Sequence, residues 1–554
     1  MSDKSLSNYS EKKEYKAHEL AKGQKEISIA EFFERNRHLL GFDNKKKALM
    51  TTIKEAVDNS IDACEEADIL PEIIVEILDL GKDKYRVVVE DNGPGIIEEQ
   101  IPKIFAKLLY GSKFHKLKMQ RGQQGIGISA AVMYAQLTTG RPAKIWSKID
   151  EGELAQYVEL KINTQDNKPQ IIKSEKKEWQ KSRGTRVELD LEASYNKGRQ
   201  SVDEYVKQTA IINPHVTLIY QPPRGDQLML VRATEQKPIL PVEIKPHPYG
   251  VELGMLMKMA AATSETTLKG FLKSDFSKVG DKSCEEILEK ARLLSKDKPK
   301  LLNRDKAEKL LDAIRETNLQ MPPTDCIVPI GEDLLDKGLK KEVNAEFYTT
   351  VSRRPEVYRG NPFLIEGSLA YGGDLEKEGS IHIMRFANRV PLLYQQGGCA
   401  FTEAINSTGW KSYGLQQSGN NTPQGPVVIV IHIASVWVPF TSEAKEAIAH
   451  YPELIKEIKL CVQELGRNLG RYVKKKKKVN EELKKRSYIE TFIPHINAAL
   501  KDILGFEEHK GREIESNLAI LLEKKRGKLD EMKFDPTKNK EYDESFAKIG
   551  REDE

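Results

Sequence analysis

The chain has 554 residues, enough for three or four domains of ordinary size. Its 88 lysines and arginines stand against 84 acidic residues, a net charge of +4, so bulk basicity is excluded and any nucleic-acid contact must come from local patches. Cys64, Cys284, Cys326, Cys399 and Cys461 form no C-x-x-C, the ten histidines form no H-E-x-x-H, and no apolar run is long enough to span a bilayer; zinc, disulfide-framework and membrane classes are set aside, and a reduced, cytoplasmic protein is expected.

Residues 1–25 are polar and lysine-rich and read as a flexible arm. A first domain is then expected over 26–223. Within it, Glu55-Ala-Val-Asp-Asn59 reads as one turn of helix, with Glu55 and Asn59 on the same face at i and i+4. A carboxylate there can orient a water while the Asn59 carboxamide oxygen ligates Mg²⁺, which prefers oxygen ligands and completes its shell with phosphate and water. Tyr85 to Glu90 is a β-branched run that predicts a strand ending in Asp91-Asn-Gly93-Pro-Gly95, where Gly93 and Gly95 permit the turn. Asp91, at the base of an adenine-sized slot, can accept a hydrogen bond from an exocyclic amine; as an isolated motif this is equally good surface-turn chemistry.

After a lysine-rich loop over residues 111–120, containing Ser112 and Lys113, comes Arg121-Gly122-Gln123-Gln124-Gly125-Ile126-Gly127-Ile128, opening a predicted helix to Leu137. Backbone amides and the positive helix end would converge there on phosphate, with Arg121, Lys113 and Ser112 adding charge and a hydroxyl. The G-x-x-G-x-G spacing reverses the dinucleotide fingerprint, which argues against a Rossmann site. Helix face, strand end and glycine turn, in that order, describe a site for ATP. Ser182 to Asp190 begins a further predicted strand with Gly184 and Thr185 at its start; the plain alternative is a strand whose Glu188, Asp190 and Glu192 alternate on a solvated face, and only Gly184 and Thr185 are carried forward as site residues.

Gln221-Pro-Pro-Arg-Gly-Asp226 marks a domain boundary at about 223, followed by helical patterns over 224–303 and a mixed α/β region over 304–479. Strands are expected at Ser380 to Arg385 and at Pro426 to His432. The last helix of this region carries Ile455, Ile458, Val462, Leu465, Leu469 and Tyr472 as one apolar stripe, and then five consecutive lysines, Lys474 to Lys478. Residues 480–554 form an extension with helical patterns at 489–504 and 514–522 and a charged tail expected to be disordered.

These boxes resemble the GHKL ATPases, shared by type II topoisomerases, heat-shock chaperones, sensor histidine kinases and mismatch-repair proteins. Val438 to Ala449 and Arg385 to Gly398 further resemble the B subunits of the topoisomerase VI family, over about residues 28–478. The resemblance implies an α/β (α+β) fold: a GHKL α/β sandwich, a helix-two-turns-helix insert, and a transducer of ribosomal-protein-like α/β fold with a right-handed crossover and a long final helix. It implies that residues 1–25 strap a partner protomer, that Thr185 helps hold adenine through its hydroxyl, and that Lys445 reaches the terminal phosphate from a second domain, an ammonium able to report a γ-phosphate. Lys197 with Arg199, and Trp410 with Lys411 and Tyr413, resemble motifs for contacting double-stranded DNA. It also implies catalysis by Glu55 and Lys445 with ATP and Mg²⁺, a B–B homodimer formed on ATP binding, and a cleaving A subunit in an A2B2 assembly. An ATP-driven chaperone-like clamp without DNA remains the alternative. A histidine kinase has only His38 near the ATP domain and no room for its helical hairpin.

Overall fold

The structure, a computed structural model, describes residues 20–21, 24, 26–113, 116–122, 125–442 and 444–526. The expected arm and charged tail therefore lie almost wholly outside the described residues. The chain divides into two compact units, Met1–Lys245 with Phe440–Glu446, and Pro246–Pro439 with Ala447–Glu554.

The first unit runs α1 (Ile29–Arg35), α2 (Lys45–Glu66), β1 (Glu72–Gly81), β2 (Lys84–Glu90), α3 (Ile101–Ala106), α4 (Gly127–Thr139), β3 (Ala143–Lys148), β4 (Ala155–Asn163), β5 (Lys168–Lys177), β6 (Gly184–Glu192), α5 (Val202–Ile212), β7 (Thr217–Gln221) and β8 (Leu228–Leu230). Its sheet has the order β5-β4-β3-β6-β2-β1-β7-β8 and is antiparallel except where β1 meets β7. α2 begins where the Asn44 side chain accepts from the Lys47 amide, which satisfies an orphan helix donor. Ala48, Leu49, Thr52, Ile53, Ala56, Val57, Ser60, Ile61 and Cys64 then form its buried face at helical spacing. α4 is buried without interruption from Ile128 to Ala135, which accounts for its continuous apolar run.

Asp190 is buried and bridges Arg86 and Arg141 at 2.7 and 2.6 Å, so the alternative of an acidic solvated face does not hold at this position. Pro222 to Gln227 is no boundary either. It turns a hairpin in which Leu218 faces Leu230, and the unit continues to Lys245.

The second unit starts with α6 (Leu253–Ala262), α7 (Leu268–Asp275), α8 (Asp281–Ala291) and α9 (Arg304–Glu316). One apolar core joins Leu256, Phe271, Leu272, Ile287 and Leu288 to Leu310, Leu311 and Ile314 of α9. The helical insert thus extends past the expected limit at 303, because the amphipathic face of α9 is buried with the other three helices.

Then come α10 (Glu332–Glu342), β9 (Phe347–Ser352), β10 (Glu356–Tyr358), β11 (Asn361–Tyr371), β12 (His382–Ala387), β13 (Val390–Pro391), α11 (Ala400–Asn406) and β14 (Val427–Ser435). The sheet order is β10-β11-β14-β12-β13, with β9 also on β11. β12 and β14 are parallel, so the chain between them makes the crossover expected of this region. β14 is buried at every position, as a strand covered on both faces must be.

α12 (Pro452–Leu504) is a single helix of 53 residues. Ile458, Cys461, Val462, Leu465 and Leu469 are its buried stripe, and Gly367 of β11 lets Cys461 and Leu465 close onto the sheet. The expected boundary at 479 falls inside this helix, since the lysine run propagates helix as readily as the stripe does. α13 (Glu508–Arg526) turns back at Gly505 and meets α12 through Asn497 and Glu515 at 2.8 Å.

Candidate functional site

Asp91 lies at the end of β2, 5 % exposed. Its Oδ1 accepts from the Gly93 amide at 2.9 Å and the Thr185 amide at 3.0 Å, and its Oδ2 accepts from the Ser60 hydroxyl at 2.8 Å. A carboxylate has about four lone-pair directions, so about one remains for an incoming donor. Burial pushes its carboxyl up, only partly opposed by the bonds from Gly93, Ser60 and Thr185. Gly184, at φ 136°, lets β6 approach the Asp91 carbonyl where a β-carbon would collide, and Gly95, at φ 72°, does the same at the Lys148 carbonyl. Thr185 meets Asp91 through its backbone, both as donor from its amide and as acceptor at its carbonyl.

Glu55 projects from α2 against the N-terminal end of α4. There is no room for a side chain at Gly127, whose β-carbon would fall on the Glu55 carboxylate. Burial would push the Glu55 carboxyl up, but Lys54, at 3.3 Å, and Lys445 outweigh it and hold it below the usual glutamate range. Glu55 is therefore a carboxylate at neutral pH, as a water-orienting base must be. Asn59 follows one turn on and is exposed.

Ile126, before α4, makes no side-chain cap, so the helix end keeps donors for an anion, and Gly125 turns into it at φ 60°. Ile128 is buried beneath this end, Gly122 is half-buried, and Gln123 and Gln124 lie outside the described residues.

Arg121 and Lys113 do not face this turn with open charges. The Arg121 guanidinium reaches Asp62 at 2.6 Å, both Glu65 oxygens at 2.7 Å and Asn213 at 2.7 Å, while His215 holds Glu65 at 2.8 Å. Lys113 binds the other oxygen of Asp62. Both cations are committed to α2 carboxylates and brace the loop on that helix. Ser112 is exposed.

Lys445 lies in irregular chain at φ 53°, not on a helix surface, and its Nζ donates to the Arg121 carbonyl at 3.3 Å. Segment Phe440–Glu446 is part of the first unit, so the lysine, the glycine turn and Glu55 share one compact body.

The expected DNA contacts divide. Lys197, Arg199 and Lys411 are exposed. Trp410 is wholly buried, its indole donating to the Ile405 carbonyl at 2.8 Å, and Tyr413 packs over Gly466 and Gly470 of α12. Both rings are packing groups.

Sequence reasoning missed Ser60, Asp62, Glu65 and His215. Asp62 lies two turns from Glu55 on the same helix, a spacing that could have found it; Glu65 and His215 are 150 residues apart and gave no local signal.

A family model for histidine kinase-, DNA gyrase B- and HSP90-like ATPases matches residues 44–194, and one for the topoisomerase VI B subunit transducer matches residues 322–485. The B subunit of type 2 DNA topoisomerase 6 from Methanococcoides burtonii is 53 % identical over 489 residues, covering 88 % of this chain and 79 % of that protein. The corresponding protein of Archaeoglobus fulgidus is 49 % identical over 484 residues, covering 87 % and 80 %. The solved 43K ATPase domain of Thermus thermophilus gyrase B aligns with 81 % of this chain and 92 % of its own at 12 % identity and a TM-score of 0.39. A transducer beside the ATPase does not favour the chaperone-like clamp. No helix among the described residues is long and apolar enough to cross a membrane. By identity over most of its length and by both domains, the chain belongs to the B-subunit family of type 2 DNA topoisomerase 6, the ATP-hydrolysing component of a type IIB DNA topoisomerase.

Proposed function

We propose that ATP binds the first unit with its adenine amine on Asp91 and its triphosphate at the N-terminal end of α4, among Gly122, Gly125, Ile126, Gly127 and Ile128. Thr185 and Gly93 hold Asp91 in place, and Gly95 shapes the turn beside it. Glu55 orients water for in-line attack on the γ-phosphate, and Lys445 exchanges the Arg121 carbonyl for that phosphate. Lys113 and Arg121 act by bracing the turn on Asp62 and Glu65. Asn59 would hold Mg²⁺, whose chemistry when bound is to neutralise phosphate charge. Phosphoryl transfer depends mainly on such positioning.

The observation that carries this reading is the Glu55 side chain pressed against the Gly127 end of α4, with Lys445 beside the same turn.

ATP binding then closes two copies of the chain, and an A subunit in an A2B2 assembly supplies the cleavage tyrosine, so that one duplex passes through another, relaxing supercoils and separating linked circles. Lys197, Arg199 and Lys411 are the side chains proposed to meet DNA phosphates, a contact that salt weakens. The test is ATP-dependent relaxation of supercoiled plasmid by the chain mixed with its A subunit. Glu55→Ala should abolish turnover while a non-hydrolysable analogue binds within about threefold of wild type. Undiminished hydrolysis by that variant refutes the assignment.

A further inference from the structure

Lys445 is flanked by two residues that pack on the stretch from Gly41 to Lys47, which leads into the first turn of α2. On one side Ala444 lies 3.8 Å from where a β-carbon on Gly41 would stand. On the other, Glu446 is 5 % exposed and its Oε1 is ion-paired with Lys47 Nζ. Lys47 also binds Asp43 at 3.0 Å, so it is held by the chain just before its own helix as well as by the segment. Burial alone would push the Lys47 ammonium down, yet its carboxylate partners Glu446 and Asp43 outweigh it and raise it. Lys54, the neighbour of Glu55, feels the same Glu446 charge.

A buried ion pair adds little net stability, because desolvation consumes most of the attraction, but it fixes one geometry and penalises others. Here it fixes the residue next to the lysine that meets the phosphate. Lys445 itself adopts a left-handed backbone at φ 53°, a conformation an ordinary side chain keeps only when its surroundings impose it.

We infer that Glu446, through its pair with Lys47, is a positioning residue that registers the Lys445 segment on α2 and so presents the Lys445 ammonium to the terminal phosphate of the bound nucleotide. The inference rests on the assignment of Lys445 to that phosphate. Glu446 pairs with Lys47 and adjoins in the chain no group assigned to the nucleotide other than its neighbour Lys445, so its role is read through Lys445.

The experiment compares Glu446→Gln, Lys445→Ala, their double variant and the charge-swapped pair Lys47→Glu with Glu446→Lys in the full chain, reading ATPase kcat and KM, analogue binding and thermal melting. Expected is a fall in kcat of about tenfold or more for Glu446→Gln with KM within about threefold. The double variant should be no slower than Lys445→Ala alone, since a group that acts through Lys445 has nothing left to act on. The swapped pair should regain part of the lost rate, since Asp43 then opposes the carboxylate placed at position 47. Additive losses in the double variant, or a Glu446→Gln kcat within about twofold of wild type while Lys445→Ala is impaired, overturn the inference and leave the Lys445 assignment standing. Full activity in Lys445→Ala overturns both. Loss of folding in both Glu446→Gln and the swapped pair would make the ion pair a stabilising one only, and would also overturn it.

Discussion

Gly127→Ala isolates the placement of Glu55 from the stability of the fold. Gly127 is the first residue of α4 and its φ is not left-handed, so the backbone accepts alanine without strain. Helix propensity even favours the change by up to about 1 kcal/mol. The new β-carbon, however, would stand 1.7 Å from Glu55 Oε2, where ordinary contact begins near 3.4 Å. Carboxylate or helix end must give way by about 1.7 Å, and a 1 Å misplacement of a catalytic group can cost about 100-fold. The expected result is a kcat lowered by about 100-fold, equivalent to about 2.7 kcal/mol in the barrier, with analogue binding changed by less than about tenfold and the melting temperature nearly constant. Steady-state ATPase, equilibrium analogue binding and a thermal melt measure the three quantities. A folded variant with kcat within about threefold of wild type would show that the Glu55 carboxylate is not held against α4.

Asp58 is buried and its carboxyl is pushed up from 3.8 to about 6, by burial first and with Glu55 adding to it against Lys54. An acid whose folded value is raised costs stability as pH climbs from 3.8 through 6, so Asp58→Asn should stabilise the first unit at pH 7.5 by up to about 3 kcal/mol, with the gain vanishing near pH 4 in paired melts. Arg121→Ala leaves Asp62 and Glu65 without their guanidinium and should cost about 3–5 kcal/mol in a denaturant titration; Arg121→Lys should not rescue it, because one ammonium cannot replace the planar fork. Gly466→Ala drives a methyl into the Tyr413 ring and should cost the second unit about 1–3 kcal/mol, of which Tyr413→Ala in the same chain restores part.

Features carried by local periodicity were legible in the chain alone. The Glu55–Asn59 helix, the strand into Asp91, the glycine turn into α4 and the stripe of α12 all follow from spacing within a few turns. What escaped depends on partners distant in sequence. Arg121 and Lys113 announce positive charge, but nothing beside them announces that Asp62 and Glu65 take it up. Trp410 and Tyr413 look like exposed loop aromatics until Gly466 and Gly470 form the notch that receives Tyr413. Lys445 sits in an alanine- and glutamate-rich stretch with high helix propensity, yet it lies in irregular chain, its ammonium on the Arg121 carbonyl and its neighbour Glu446 paired with Lys47. Proline and glycine at 222–225 read as a domain border because a hairpin turn and a linker use the same residues.

At 1.5 Å per residue, the 53 residues of α12 extend about 80 Å. Its base is clamped on the sheet by Ile458, Cys461, Val462, Leu465 and Leu469, and no glycine interrupts it beyond Gly470 until the cap at Gly505. It is thus built as a lever arm. Pivoting the base by about 5° sweeps the far tip through about 7 Å, more than one helical pitch. Amplification of this kind needs no further moving part, only stiffness; beyond Gly470, Pro494 is the place in the helix where compliance is built in.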